Sequence, residues 1–207
     1  PGGVRAPVGV AGGVGLEALG RRGIQIGAHM GAIGEGQGQR VEAAAMEKDV
    51  LHGLCKQEFP VREAETAAAM QEEIRSAKQA GDSVGGVIEC AVVGLPAGLG
   101  DPMFDGMENR IAQLVFGIPA VKGVEFGAGF QAAAMRGSEH NDPFCWDGRM
   151  VKTRKNHHGG ILGGITSGMP LVFRAAVKPT PSIGIRQEGV SLSKKEGAEL
   201  TVGGRHD

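Results

Sequence analysis

The 207-residue sequence contains no tyrosine and one tryptophan, and phenylalanine supplies only seven further aromatic rings. So few rings leave little surface on which nucleic-acid bases could stack. Neither sign of charge is in excess, because 22 Lys and Arg residues stand against 23 Asp and Glu residues, for a net charge of −1. Without a basic stripe, the composition argues against a nucleic-acid partner.

Cysteine is scarce as well, with only Cys55, Cys90 and Cys145. The number is odd and no pair has C-x-x-C spacing, so the sequence argues against a disulfide framework and favours a reducing, cytoplasmic compartment. No apolar run reaches the roughly 18 residues of a membrane-spanning helix. No signal peptide is recognisable at the beginning of the sequence. We therefore expect no membrane partner.

Glycine, by contrast, is abundant: 37 of 207 residues are Gly, well over twice the roughly 7% of average usage. The glycines lack a collagen period and stand between apolar runs, which predicts turns, close backbone packing and ligand loops rather than disorder. The length predicts a single domain over residues 1–207. The sequence begins at Pro1 and stops after "GGRHD", and we interpret it as a piece of a longer chain.

Hydrophobic periodicity predicts alternating helices and strands. Helices are expected from Val8 to a stop at Gly23, over 61–83 with a stop at Gly81, and over 105–119. Strands are expected over 24–33, 84–96, 121–130 and 170–177, with a break at Lys178-Pro179. Residues 191–207 are expected to form a polar turn, a strand and a last loop. The second helix shows one face made of Ala67, Met70, Ile74 and Ala77, and the third turns Ile111, Leu114 and Val115 inward. The polar segment 135–156 is predicted to be an irregular functional loop or lid. The pattern indicates an α+β or layered α/β class.

The segment "NHHGGILGGITSG" (156–168) places two histidines before two Gly-Gly pairs. Consecutive side chains of an extended chain point to opposite sides, so His157 and His158 are a poor pair for one ion. His140 and Cys145 are not at metal-ligand spacing from them, and we expect no metal site. The alternatives are a phosphate cradle, since glycines permit converging N–H groups, or a structural turn in which one histidine packs and the other caps a loop.

Two further segments suit anions. In "KPTPS" (178–182) two prolines fix the backbone around a lysine and two hydroxyls, which suits a phosphate or a flavin edge; the alternative is a strand break with a solvated lysine. In "GRHD" (204–207) Arg205 could bind a phosphate in bidentate fashion and Asp207 could accept a proton. The alternative there is a surface ion pair.

Six motifs together identify the sequence as similar to a known family. They occur in order as "GDSVGGVIECAVVGLPAGLGDPMFD", "IPAVKGVEFGAGF", "RGSEHND", "NHHGGILGGITSG", "VKPTPSI" and "GGRHD". This arrangement closely resembles the chorismate synthase family over residues 81–207. The resemblance extends more weakly back through residues 21–34 to Arg5.

The resemblance implies a lyase that converts 5-enolpyruvylshikimate 3-phosphate to chorismate and phosphate by a 1,4-anti elimination, with reduced FMN and no net redox change. NADPH or an external reductant would keep the flavin reduced. The implied fold is a β-α-β sandwich, α+β in class, with mixed or antiparallel sheets and helices packed between or around them. The implied assembly is a homotetramer in the cytoplasm.

The resemblance also assigns site residues. It makes Asp207 the catalytic carboxylate near the flavin, and it gives Arg205 contacts with both flavin and substrate. Arg5 matches a substrate-binding arginine. The cofactor-binding set, besides Arg205, is Pro119, Ala120, Gly163, Lys178, Pro179, Thr180, Pro181 and Ser182.

The sequence departs from the family at its ends. The family's N-terminal histidine motifs and its C-terminal continuation are not visible, and His29, His157 and His158 do not match the family's catalytic histidines. The alternative function is therefore a catalytically inactive flavin- or anion-binding fragment or module of the same fold. A structural subunit is a third possibility, suggested by the apolar Gly- and Ala-rich strands.

Overall fold

The computed structural model describes residues 2–38, 40, 44, 46 and 48–202, with the backbone alone for residues 2–8 and 55. Helices and short strands alternate along these residues. The helices are α1 (Gly2–Gly20), α2 (Lys48–Cys55), α3 (Ala64–Gln79), α4 (Met107–Phe116) and α5 (Gly137–His140), with a 3-10 helix at Gly129–Ala134. None of the helices in this part of the chain combines the length and apolar character needed to cross a membrane.

The strands form one sheet and three small hairpins. They are β1 (Gln25–Ile33), β2 (Gly36–Gln37), β3 (Gly86–Val93), β4 (Val121–Phe126), β5 (Phe144–Trp146), β6 (Val151–Thr153), β7 (Ile161–Leu162), β8 (Ile165–Thr166), β9 (Leu171–Val177), β10 (Gln187–Ser191) and β11 (Glu196–Leu200). The sheet has the order β2-β1-β3-β9-β4, and all its neighbours are antiparallel. The hairpins are β5–β6, β7–β8 and β10–β11. The predicted α+β class with antiparallel sheets is confirmed.

One face of the sheet forms a core with the β7–β8 hairpin and α4. Val92 and Leu171 are buried there with Ile161, and Met107 and Ile111 of α4 pack against them. The four-residue spacing of these two helix side chains puts both on the face toward the sheet. Leu114, in the last turn of the helix, was expected to turn inward, but it is 76% exposed, so the packed stripe ends before it.

The opposite face packs against α2, an element that the sequence patterns did not predict. Leu51 of α2 is buried against Ala91, Val93 and Val172. The helix α3 forms as expected and buries Met70 completely, although Ile74 of the same predicted face stays 40% exposed. Different elements therefore cover the two faces of the sheet, and polar side chains occupy the middle of the face toward α2.

The segment 135–156 is more regular than expected. Instead of an irregular loop it contains α5 and the β5–β6 hairpin. Asp147 closes that hairpin, because its carboxylate accepts from Lys152 Nζ at 2.6 Å and from the N–H groups of Arg149 and Met150 at 2.9 Å. The lysine first, and then the two N–H groups, hold the pKa of Asp147 well below its usual range. A lid role for this segment stays a prediction.

The last part of the chain also contains one more strand than expected. The predicted break after β9 is confirmed, since the strand ends at Val177. The polar turn and the strand after it are present, but a further strand, β10, pairs with β11 in full antiparallel register. This hairpin lies at the surface, where β11 is largely exposed and the residues of β10 alternate between half-buried and exposed.

Candidate functional site

The two Gly-Gly pairs allow loops to approach one another at backbone distance. A Cβ on Gly127 would stand 2.1 Å from the carbonyl oxygen of His157, and one on Gly159 would stand 2.4 Å from the amide nitrogen of Gly127. Both glycines have positive φ, which also disfavours any side chain. The buried Asn156 holds the turn, since its Oδ1 accepts from Gly160 N–H and its Nδ2 donates to Pro170 O, both at 2.8 Å.

The adjacent histidines have separate environments around one carboxylate. The side chain of His158 is buried, with Nδ1 hydrogen-bonded to Asp142 Oδ2 and Nε2 lying 3.0 Å from Ser167 Oγ. His157 is partly exposed, and its Nδ1 lies 3.1 Å from the carbonyl oxygen of His140 and 3.2 Å from Asp142 Oδ1. One histidine thus packs and the other rests against a loop, as the structural alternative predicted. We name Asp142, His158 and Ser167 the loop network.

Asp142 is the charged member of the loop network. Burial of the carboxylate raises its pKa. This effect is outweighed by the backbone N–H of His158, which donates at 3.0 Å, and by the His158 imidazole, both of which lower the pKa. The backbone N–H of His157 lowers it as well. The balance leaves the pKa of Asp142 below its ordinary value of 3.8. Asp142 is therefore ionised at neutral pH. Over the described ranges, no group of three or more His, Cys, Asp or Glu side chains could hold a metal ion.

The predicted cofactor residues form two groups. The N–H of Lys178 donates to the carbonyl oxygen of Ala120 at 2.9 Å, so the chain after Pro119 lies beside the start of the 178–182 loop. Ala120 reaches this position with φ of 72°, an uncommon conformation for a residue with a side chain. From the other side, Ser83 Oγ donates to the carbonyl oxygen of Thr180 at 2.6 Å.

This loop presents donors suited to a phosphate. Lys178, Thr180 and Ser182 are half-buried, and the two prolines, Pro179 and Pro181, are exposed. The ammonium of Lys178 lies 3.2 Å from the carbonyl oxygen of Pro179. A rigid loop with one cation and two hydroxyls keeps its donors in place without a large ordering cost when an anion binds.

Gly163 lies apart from that group. It sits in the β7–β8 turn with φ of 58° and open space where a side chain would be. Its neighbour Gly164 accepts from the N–H of Met107, at the first residue of α4, whereas Ala120 follows the other end of that helix. Ten helical residues span about 15 Å. The structure thus brings Ala120 and the 178–182 loop together and leaves Gly163 about one helix length away.

Three predicted residues have no described side chain. Arg205 and Asp207 lie outside the described residues. Arg5 lies in α1, where only the backbone is described. Their assigned roles stay predictions.

The sequence patterns missed a row of ionisable side chains across the sheet. His29, Glu89, Arg174 and Glu125 stand opposite one another on β1, β3, β9 and β4. We name these four residues the strand row. Arg174 Nη2 lies 2.8 Å from Glu125 Oε1, and His29 Nε2 lies 3.6 Å from Glu89 Oε1. The available signal was a single charge inside each apolar run, as in "VIECAVV" and "LVFRAAV".

Arg174 is the buried cation of the strand row. Its burial lowers the pKa of Arg174 below its ordinary value and the charge of Arg40 adds to this, whereas Glu125 and Glu89 raise the pKa. Arg40 also lines a neighbouring cavity of about 360 Å³, together with Arg154, Lys155 and His157. This face of the sheet therefore combines paired buried charges with an open basic rim.

Fold and site together define an α+β protein in which an antiparallel sheet supports glycine-rich loops and a donor loop suited to a phosphate-bearing ligand. The chorismate synthase family model matches residues 5–207. The chain therefore belongs to the chorismate synthase family.

Individual relatives agree with this family. The chain is 45% identical to the chorismate synthase of Methanosarcina acetivorans over 189 residues, covering 91% of this chain and 51% of the relative. It is 46% identical to that of Thermococcus kodakarensis over 199 residues, covering 96% and 54%. A crystal structure of chorismate synthase superposes with a TM-score of 0.75 at 34% identity, covering 82% of this chain and 53% of the other. The expected β-α-β sandwich fold is confirmed, and the chain spans about half the length of the curated relatives it matches.

Proposed function

We propose that the protein is a lyase that converts 5-enolpyruvylshikimate 3-phosphate to chorismate and phosphate with the help of reduced FMN. The family membership supports the reaction class. The single observation on which the site rests is the hydrogen bond from Lys178 N–H to Ala120 O, because it joins two separate segments of the predicted cofactor set.

The donor set fits a flavin phosphate. Lys178 offers a charge, and the hydroxyls of Thr180 and Ser182 offer hydrogen bonds within three residues of it. Such fixed donors stabilise a dianion more than mobile water does, since they need no reorganisation. Gly163, with open space above its Cα, leaves room for a ring at the β7–β8 turn.

In this proposal the protein binds and orients while the cofactor supplies the difficult chemistry. Reduced FMN, when bound, supplies the electron that assists departure of phosphate. Arg205 holds the substrate and flavin, Arg5 adds a substrate contact, and Asp207 accepts a proton at the flavin. The 178–182 loop and Ala120 fix the cofactor so that these groups meet the substrate ring.

The test is an anaerobic assay with dithionite-reduced FMN and 5-enolpyruvylshikimate 3-phosphate, following chorismate absorbance and released phosphate. We expect turnover, and we expect Lys178→Ala to weaken FMN binding about tenfold or more because a charged hydrogen-bond donor is lost. The matched control is Lys194→Ala, in the exposed β10–β11 turn, which leaves FMN binding unchanged.

The other outcomes separate the alternatives. Binding of FMN without turnover supports the inactive flavin-binding module, and absence of FMN binding contradicts both functions. Replacing dithionite by NADPH in the same assay tests whether the protein reduces its own flavin. We further propose that the protein is cytoplasmic and forms a homotetramer. Sedimentation of the purified protein measures the number of subunits in the assembly.

A further inference from the structure

The loop network brings together three side chains from three separate segments. Asp142 follows α5, His158 precedes β7 and Ser167 follows β8. Asp142 accepts from His158 Nδ1, so the lone pair of the neutral imidazole lies on Nε2, 3.0 Å from Ser167 Oγ. The backbone N–H of Met169 donates to the same Oγ at 3.3 Å, which leaves the hydroxyl proton for the imidazole.

This order of groups is the one that activates a serine hydroxyl. The imidazole can take the hydroxyl proton, and the carboxylate fixes the ring and stabilises it once it is charged. The imidazole and its carboxylate are both held firmly, because the side chains of His158 and Asp142 are only 5% and 4% exposed. Ser167 is only half-buried, so a reagent can reach it.

A donor for a developing negative charge stands next to the serine. Gly168 follows Ser167, is exposed and has φ of 84°. Among the described residues, none accepts a hydrogen bond from its backbone N–H. The N–H after a nucleophilic serine is a usual member of an oxyanion hole. Its conformation also excludes a side chain that would shield the serine.

A cavity of about 420 Å³ lies beside the imidazole and its carboxylate. Pro143, Phe144 and Leu162 give it an apolar wall, and both Phe144 and Leu162 are exposed to solvent. Its apolar wall suits an uncharged acyl or alkyl group rather than a phosphate. This separates it from the basic cavity at Arg40 and from the donor loop at 178–182.

We propose that Ser167 is a nucleophile toward esters with a small uncharged acyl group, with His158 as general base and Asp142 as the residue that positions it. Ser167 Oγ bonds to the acyl carbon, its proton passes to His158 Nε2, and the ester C–O bond breaks. The leaving alcohol takes that proton. Water then releases the acid by the same route, with His158 again accepting a proton, and the serine is restored.

The first test uses an alkyl fluorophosphonate, with which Oγ–P bond formation expels fluoride. We expect one phosphonyl adduct by intact mass, mapped to Ser167 by peptide sequencing. Ser167→Ala abolishes the adduct, and His158→Gln slows it about 100-fold or more, since proton transfer is lost. The exposed controls Ser76→Ala and His52→Gln, on α3 and α2, label at the wild-type rate.

The second test uses p-nitrophenyl acetate, with a burst of one nitrophenolate per chain expected before slow turnover. Asp142→Asn lowers the burst rate at least about tenfold, because the ring loses its orienting carboxylate. Circular dichroism confirms that each variant is folded. Folded wild-type protein that gives no adduct, an adduct at another residue, or equal labelling of Ser167→Ala overturns the proposal. Neither test needs FMN, so its failure is distinct from failure of the lyase function.

Discussion

The strand row and the loop network both keep ionisable groups away from water, but they hold them by different means. In the strand row each charge faces a partner on the next strand, and the antiparallel register fixes the pairs. In the loop network the single charge, on Asp142, is held by backbone N–H groups and an imidazole of the segment before β7. Loss of one member therefore leaves an opposing buried charge in the strand row, but only unfilled hydrogen bonds in the loop network.

The largest expected effect comes from breaking the strand row. Arg174→Met leaves Glu125 and Glu89 without their cation, and we expect the free energy of unfolding to fall by about 3–5 kcal/mol. The matched control is Arg186→Met, whose partner Glu199 is at the surface, with an expected loss of about 0–1 kcal/mol. Urea denaturation followed by circular dichroism measures both. Equal losses would remove the distinction between buried and exposed pairs.

The next effect concerns the backbone that supports the loop network. Gly159→Ala forces a Cβ to 2.4 Å from the amide nitrogen of Gly127, and we expect a loss of about 3 kcal/mol or more. Gly163→Ala has a similar positive φ but open space, so only the conformational cost of about 1 kcal/mol is expected. Thermal and urea unfolding of both variants give the comparison. A milder effect at Gly159 than at Gly163 contradicts close packing of these loops.

The charge of the loop network has a smaller effect that depends on pH. Asp142→Asn should cost about 2 kcal/mol at neutral pH, because hydrogen bonds to a charged acceptor are lost. The pKa of Asp142 is lower in the folded state than its ordinary value of 3.8. The contribution of its charge to the free energy of unfolding is therefore complete above pH 3.8 and disappears as the pH falls through the pKa of the folded state.

Unfolding free energies measured across that range check this dependence. The difference between wild type and Asp142→Asn should be constant near neutral pH and shrink in acid. The exposed pair of Asp105 with Arg110 provides the control, and Asp105→Asn should cost about 0–1 kcal/mol. A difference that grows in acid has the wrong sign for a lowered pKa.

The smallest effect extends the comparison to the turn before β4, where strain rather than charge is expected. Ala120 has φ of 72°, so Ala120→Gly should stabilise the protein by about 0.5–1 kcal/mol as the strain is relieved. The same substitution at the buried Ala91 of β3, Ala91→Gly, should destabilise it by about 1 kcal/mol. Unfolding by urea distinguishes the two signs. A loss at both positions shows that Ala120 is not strained.

The local elements were largely predictable from the sequence. The helices α1, α3 and α4 and the strands β1, β3, β4 and β9 follow from periodicity and from Gly and Pro stops, which act over a few residues. The helix α2 and strand β10 were missed because each is short, with eight and five residues. Leu114 was misplaced because spacing alone does not say where a stripe ends.

The pairing of distant residues was not predictable in the same way. Glu89 and Arg174 lie 85 residues apart, and only the sheet register brings them opposite each other. His158 meets Asp142 and Ser167 through loops whose approach depends on glycines at positive φ. The donor loop at 178–182 was recognisable from its prolines and hydroxyls, and its role at a flavin stays a prediction.

The ion pair of Arg174 depends on a register shift in β4. Val121 faces Val177, but two residues later Gly123 faces Ala176, so Lys122 is the extra residue of a bulge. If the same residues paired without the bulge, Lys122 would face Ala176 and Val124 would stand opposite Arg174, with Glu125 on the other face of the sheet. A relative that lacks the residue at Lys122 should therefore keep the charge on β9, whereas a relative that keeps the residue but loses the bulge should show a change of that charge.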